Sequence, residues 1–339
     1  MNSRVALVGL TAVALLLTGC AGQAVSAGSP TGTSDPTSPV SASPTPTAEA
    51  VPAEAAPPVA PFGNDCAAVL SLDQAIASLG SDATPGADYP EVAIETHGGV
   101  WCSWNAASGL GLSAIVLPTS EVTDAVRTGW ADLPCERAFD TTQCFAVAAT
   151  DGVWVLVTQE VPYVDNLEDV DRPAGLTDLA ADIATRAVGF AAPMPAVTVS
   201  ERWALPTCDD AKAELDMAGL IGGGIHDGPG TEGPGRLGSL ATELGFEVTC
   251  AWSSTAGGPT ASFTVVPGGA WATEAYAAGR VGGVQPITID GLSYAAASPA
   301  TSFSQGAFGS TDVNFVTAWT TTDADTAAFL QKVVGILHG

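Results

Sequence analysis

Apolar and polar positions along the chain fall into two rounds of elements that follow the same order. In the first round, Ser71 and Gln74 form a capping box, and Leu72, Ile76 and Leu79 recur at helical spacing up to Gly80. Strand-like apolar runs follow at 92–96, 100–105 and 112–117, the last stopped by Pro118. The spacing predicts a helix over 119–130, with acidic residues early and Arg127 late, as the helix dipole favours. Beyond Cys135 and Cys144, the runs 145–149 and 153–159 meet at Asp151-Gly152, a hairpin signal. An amphipathic pattern over 176–190 closes the round.

The second round opens with a short helix over 209–217, then strands at 248–253 and 261–266, the latter stopped by Pro267. A helix over 270–280, late strands at 293–297 and 313–320, and a last helix over 323–337 complete it. Matching landmarks lie at nearly constant offsets: 142 positions from Cys66 to Cys208, 148 from Cys102 to Cys250, and 149 from Pro118 to Pro267. The expected fold class is α+β: a tandem repeat of two similar domains, each an antiparallel sheet with packed helices and a helix–strand disulfide. The domains span 64–194 and 195–339, with Pro193 and Pro195 at the junction.

What precedes residue 64 sets the expected compartment. Arg4 supplies the single positive charge of an n-region, and a mainly apolar run from Val5 to Leu17 is too short for a mature membrane span but suits a signal peptide. Leu17-Thr18-Gly19-Cys20 resembles the lipobox of bacterial lipoproteins. The resemblance implies a signal peptide over 1–19, cleavage before Cys20, and diacylglyceryl and palmitate chains on that cysteine. Two or more acyl chains suffice for stable anchoring. Residues 20–63 then read as the lipidated cysteine and a disordered Ser/Thr/Pro/Ala tether, too poor in large apolar residues to repay ordering entropy. At ~3.1 Å per residue the tether could reach on the order of 130 Å.

Charge narrows the partners. Thirty-six acidic residues against 10 basic ones give a formal net charge of −26. Such a surface argues against nucleic acid and against electrostatic attraction to anionic lipid, so membrane attachment rests on the lipid at Cys20. The expected location is extracytoplasmic, on the outer face of the cell membrane.

With Cys20 lipidated, six cysteines remain in an oxidising space, and six allow fifteen pairings. The repeat makes one pairing most economical: Cys66–Cys102, Cys208–Cys250, and Cys135–Cys144 as an extra clip in the first domain. Trp104 and Trp252 stand two residues past a strand cysteine and share its sheet face. They are expected to pack over the disulfides, with a ligand-stacking platform as the alternative.

This arrangement, a cysteine opening a short helix, a loop, a Cys-x-Trp strand, and both behind a lipobox and tether, resembles actinobacterial secreted lipoproteins built on a domain of unknown function. It is similar, more loosely, to extracellular sensor domains of mycobacterial receptor kinases. The family has no established activity, so the resemblance implies no catalytic residues.

The chain offers little chemistry of its own. His97, His226 and His338 lack metal-ligand spacing, and Ser113 and Ser293 lack the closing glycine of a nucleophile elbow. The glycine-rich stretch 222–238 has no Gly-Lys-Ser/Thr ending. Asp165, Glu168, Asp169 and Asp171 form the densest acidic patch but miss the EF-hand spacing. The expectation is a non-enzymatic binding or accessory module with no cofactor and no metal. Its ligand would be an envelope lipid, glycan or protein, held by default in a groove between the domains. An envelope sensor, or a hydrolase with an unrecognised site, is the alternative.

Overall fold

The computed structural model describes residues 58–338 apart from 81, 87–90, 139–140, 165, 168–172, 188–201, 222–224, 228–235, 256–259, 280–282, 299–304 and 322–324. The acidic patch 165–171 and the expected junction at Pro193 and Pro195 therefore fall largely or wholly outside the described residues. No helix among the described residues is long and apolar enough to cross a membrane.

The fold is α+β, with two antiparallel sheets and three disulfides. In the first half, α1 (Cys66–Val69) and α2 (Leu72–Leu79) lead through β1 (Thr84–Pro85) and α3 (Val92–Thr96) into β2 (Val100–Asn105) and β3 (Gly111–Pro118). Then come α4 (Asp124–Ala131), β4 (Cys135–Ala138), β5 (Thr141–Ala149), β6 (Val153–Pro162) and α5 (Leu176–Arg186). The second half runs α6 (Cys208–Leu215), α7 (Met217–Ile221), β7 (Ile225–Asp227), α8 (Leu240–Glu243), β8 (Val248–Ser254) and β9 (Thr260–Val266). It ends with α9 (Thr273–Ala278), β10 (Gln285–Pro286), β11 (Tyr294–Ala297), β12 (Gln305–Ser310), β13 (Phe315–Thr320) and α10 (Thr326–His338).

The first sheet has the order β1-β2-β3-β6-β5-β4. The second, read from β7, has the order β7-β8-β9-β13-β12-β11, with β10 added beyond β11. Strand for strand the two orders coincide. They differ in how the far edge is blunted, a need every open sheet has. In the first sheet Cys135 of β4 sits directly opposite Cys144 of β5 and is bonded to it, with Cα atoms 3.9 Å apart. In the second, the corresponding β11 is covered by β10.

Each sheet is apolar on both faces. Along β6, Val153, Trp154, Val155, Leu156 and Val157 are all fully buried, which no one-sided strand would show. The odd-numbered three face an outer core with α5 and the Cys66–Cys102 disulfide, while Trp154 and Leu156 face a central core. In the second half α10 covers the outer face over Phe263, Val316 and Ala318, beside Cys208–Cys250. The central core draws on both halves: Ile115, Phe145, Trp154 and Leu156 pack with Leu240, Phe246, Val266, Phe308 and Phe315. The layers thus run helix, sheet, shared core, sheet, helix. Residues from 58 onward belong to one compact unit.

Several elements depart from the sequence expectation. Residues 92–96 read as a strand, yet they form α3, because this short segment lies in the central core with Val92, Ala93, Ile94 and Thr96 all buried and no alternation to enforce. An apolar run of five cannot distinguish the two periods. Strand β12 escapes the reading because it is Gln-Gly-Ala-Phe-Gly-Ser. Its glycines answer close approach: a Cβ on Gly306 would stand 2.7 Å from the Trp319 ring, and one on Gly309 2.5 Å from the Tyr294 carbonyl. The run 293–297 therefore corresponds to β4 and not to β5. The helix expected over 119–130 is a single turn, Thr119–Glu121, then α4, restarted by the Thr123 hydroxyl capping the Val126 N–H. The region 270–280 divides likewise into the turn Ala270–Ala272 and α9.

The capping box of α2 is present in full, and the three cystines are those the repeat favours. Trp104 and Trp252 are about 5% and 3% exposed, in the same outer cores as Cys102 and Cys250. So little exposed surface leaves no face on which a ligand could stack. Cys208–Cys250 ties α6 to β8 across 42 positions. Replacing both cysteines by alanine should lower the unfolding free energy by about 4 kcal/mol in a urea titration. A loss under about 1 kcal/mol would mean that the staple does little to hold α6 to its sheet.

Candidate functional site

Where a groove was expected between the halves, the shared core fills the middle of the seam. The seam is built from two short helices in matching places, α3 ahead of β2 and α8 ahead of β8. Both end in the same way. Gly98 and Gly245 take positive φ (70° and 74°), and the next residue's N–H, from Gly99 or Phe246, returns to the carbonyl of Ile94 or Ala241. Each half also reaches over to the other's helix end with an indole. Trp271 Nε1 donates to Thr96 Oγ1 at 2.9 Å, and Trp130 Nε1 donates to Glu243 Oε2 at 3.0 Å. Thr96 and Glu243 are the last residues of α3 and α8.

The approach is close enough to exclude side chains. A Cβ on Gly269 would stand 2.8 Å from Val92 Cγ1 and 3.1 Å from Phe315 Cβ, which is why two glycines, 268 and 269, follow Pro267. Just past α3, the His97 ring stacks on Phe246 of the other half, centroids 3.6 Å apart and planes 5° from parallel.

Around that stack lies the densest set of titratable groups in the described fold. His97 Nδ1 is 2.8 Å from Glu121 Oε2, both side chains mostly shielded from solvent. The Glu91 N–H donates to Glu95 Oε1 at 3.1 Å, one turn along α3. The Thr249 hydroxyl donates to Glu247 Oε1 at 3.3 Å, and Thr249 also bonds Thr264 at 2.9 Å. Arg202, in the connection before α6, acts electrostatically on His97, and its buried Nε has no hydrogen-bond partner.

Burial sets the protonation of this set. Desolvation raises the Glu95 carboxyl to about 7, with the Glu91 charge adding to the effect against the Glu91 N–H bond that lowers it. Desolvation likewise raises Glu247 to about 7, helped by Glu91 and opposed by the Thr249 bond. Burial raises Glu91 too, but this residue keeps much of its surface open to water, which tempers the effect. Desolvation lowers His97 despite the Glu121 partner that favours its charged form.

Of the residues singled out in the sequence, the structure brings only His97 to this seam. His338 lies at the end of α10, edge-on to Trp203 with ring centroids 5.7 Å apart, and His226 lies on β7. Ser293 caps a turn through Asp312 at 2.7 Å. Glu91, Glu95, Glu121, Arg202, Phe246 and Glu247 were not foreseen. With 92–96 taken as a strand, Glu91 and Glu95 fell off the shared helical face that an i, i+4 spacing would have given them. No signal in one half points to its partners more than a hundred positions away in the other.

Chemically, the arrangement can take up and release protons and hold a charge between two halves. Among the described residues no group of three or more His, Cys, Asp or Glu is placed to hold a metal ion. No hydroxyl or thiol among them hydrogen-bonds His97, so the pair with Glu121 lacks a nucleophile to activate. Comparison with family models, with curated proteins and with solved structures returned no match for this chain.

The titration has a definite sign. Glu95 and Glu247 bind a proton more tightly in the fold, at about 7, than at their ordinary 4.5. Their contribution to stability is fully present below about pH 4.5 and is lost as pH rises toward about 7. His97, lowered from 6.5, acts oppositely: its contribution is present above that value and is lost as pH falls through its folded pKa. Two carboxyls outweigh one imidazole, so urea unfolding should show stability falling from about pH 5 to about pH 7.5. Glu247→Gln should raise stability on the order of 1–2 kcal/mol at about pH 8 and change it little at about pH 4.5. A variant effect equal at both pH values would contradict the buried-carboxyl account.

Proposed function

We propose that this chain is a membrane-anchored extracytoplasmic lipoprotein that serves as a non-enzymatic binding or accessory module of an actinobacterial cell envelope. The observation that carries the reading is Leu17-Thr18-Gly19-Cys20 behind an apolar leader and ahead of a Ser/Thr/Pro-rich tether. Three disulfides are consistent with an oxidising compartment, since cytosolic thiols are kept reduced. The pairing of all six non-lipobox cysteines and the missing nucleophile at His97 favour binding over catalysis.

The two halves are, in this reading, copies of one domain that arose by tandem duplication. The coincident strand orders, the matched helix–strand cystines and the reciprocal indole contacts at the seam support it. The resemblance to actinobacterial lipoproteins with a Cys-x-Trp domain fits the same picture. The ligand or partner is an envelope lipid, glycan or protein. A role as accessory to an envelope sensor is the second reading, favoured by the proton-responsive groups at the seam.

Fractionation of an actinobacterial host tests the anchor. The parent protein should sediment with membranes and enter the detergent phase, and Cys20→Ala should leave most of it soluble or held as an uncleaved precursor. Identical partitioning of parent and variant, with no lipid mass on residue 20, would overturn the reading.

A further inference from the structure

The seam joins two halves through few direct contacts outside its apolar middle, and charge is concentrated at one end of it. From the first half come Glu91 and Glu95 on α3, His97 at its end, and Glu121 in the turn after β3. From the second half come Arg202 before α6, Glu243 at the end of α8 and Glu247 leading into β8. Glu243 is engaged by Trp130 and by the Ser239 hydroxyl, and Glu121 by His97. Glu91, Glu95 and Glu247 have no opposite charge bonded to them among the described residues; the charges that act on Glu95 and Glu247 come from Glu91. Glu91 thus faces a carboxyl of its own helix and one across the seam.

The contact these groups border is a poor one to pull apart slightly. The His97–Phe246 stack at 3.6 Å and the Gly269–Val92 approach leave no slack, so α3 and the β8 lead-in either sit together or separate.

We propose that the seam between the halves is a proton-operated latch: neutral carboxyls at Glu91, Glu95 and Glu247 hold α3 against the β8 lead-in, and their ionisation parts the two. The direction follows from Coulomb repulsion among like charges in a partly desolvated place. Arg202 and His97 lie on the other side of α3's end and oppose the parting only weakly once His97 is neutral. The pH range over which Glu95 and Glu247 titrate, around 7, is where an envelope protein meets its ordinary surroundings. The latch is independent of what the protein binds and of how it is anchored.

Hydrogen exchange read by mass spectrometry tests it on the described fold with its disulfides intact, at about pH 5.5 and about pH 8, with rates corrected for intrinsic exchange. Peptides covering 91–99 and 241–249 should lose protection by about tenfold or more at the higher pH, while peptides from α5 and α10 keep theirs. In Glu95→Gln/Glu247→Gln the seam peptides should stay protected at both values. Seam protection that does not change with pH in the parent would overturn the proposal. So would a loss shared equally by α5 and α10, which reports global unfolding, or the same pH response in the double variant.

Discussion

A sheet that is apolar on both faces needs two covers, and each half of this chain supplies only one long helix. In the first half α5 takes the outer face of β5 and β6, and in the second α10 takes the outer face of β12 and β13. What remains on each inner face includes Phe145, Trp154 and Leu156 on one sheet and Phe308, Phe315 and Val266 on the other. Left in water, each such side chain would forfeit about 1.5–3 kcal/mol of burial. The two sheets cover one another, with α3, α4, α8 and α9 wedged at the margins. The rest of the architecture follows from that mutual burial: the glycine pair at 268–269, the indole contacts, and the placing of charged residues at the rim.

The outer cores are arranged differently and more locally. In each half a cystine fixes the opening helix to the second strand of the sheet, and a tryptophan two residues further along the strand packs in the same core. These staples act within a half. They restrain the unfolded chain and leave the inner face to be satisfied by packing alone. The edge strands show the same division of labour, one pinned by Cys135–Cys144 and the other covered by β10.

Much of the fold was legible in the sequence because most of its signals are local. The Ser71–Gln74 cap, the hairpin at Asp151-Gly152, the Cys-x-Trp strands and the stops at Pro118 and Pro267 can each be read within a few residues. What could not be read were features that depend on the other half. Segment 92–96 is a helix because it is buried on every side between two sheets, and β12 is glycine-rich because Trp319 and Tyr294 crowd it. The unbroken apolar run Val153–Val157 did carry a hint, since a strand with one wet face would alternate. The seam site was hidden for the same reason. His97 meets Phe246, and Glu91 meets Glu247, only once the two inner faces have closed on each other.

Mutual burial has a consequence for folding that independent domains would not share: neither sheet can keep its native environment while the other is unfolded. Urea unfolding of residues 58–339 tests this, followed at once by a probe reporting α5 and a second reporting α10. The account predicts one transition with coincident midpoints by both probes, and an m-value appropriate to the whole fold. Two separated transitions, each with about half that m-value, would contradict it and show two domains that stand alone.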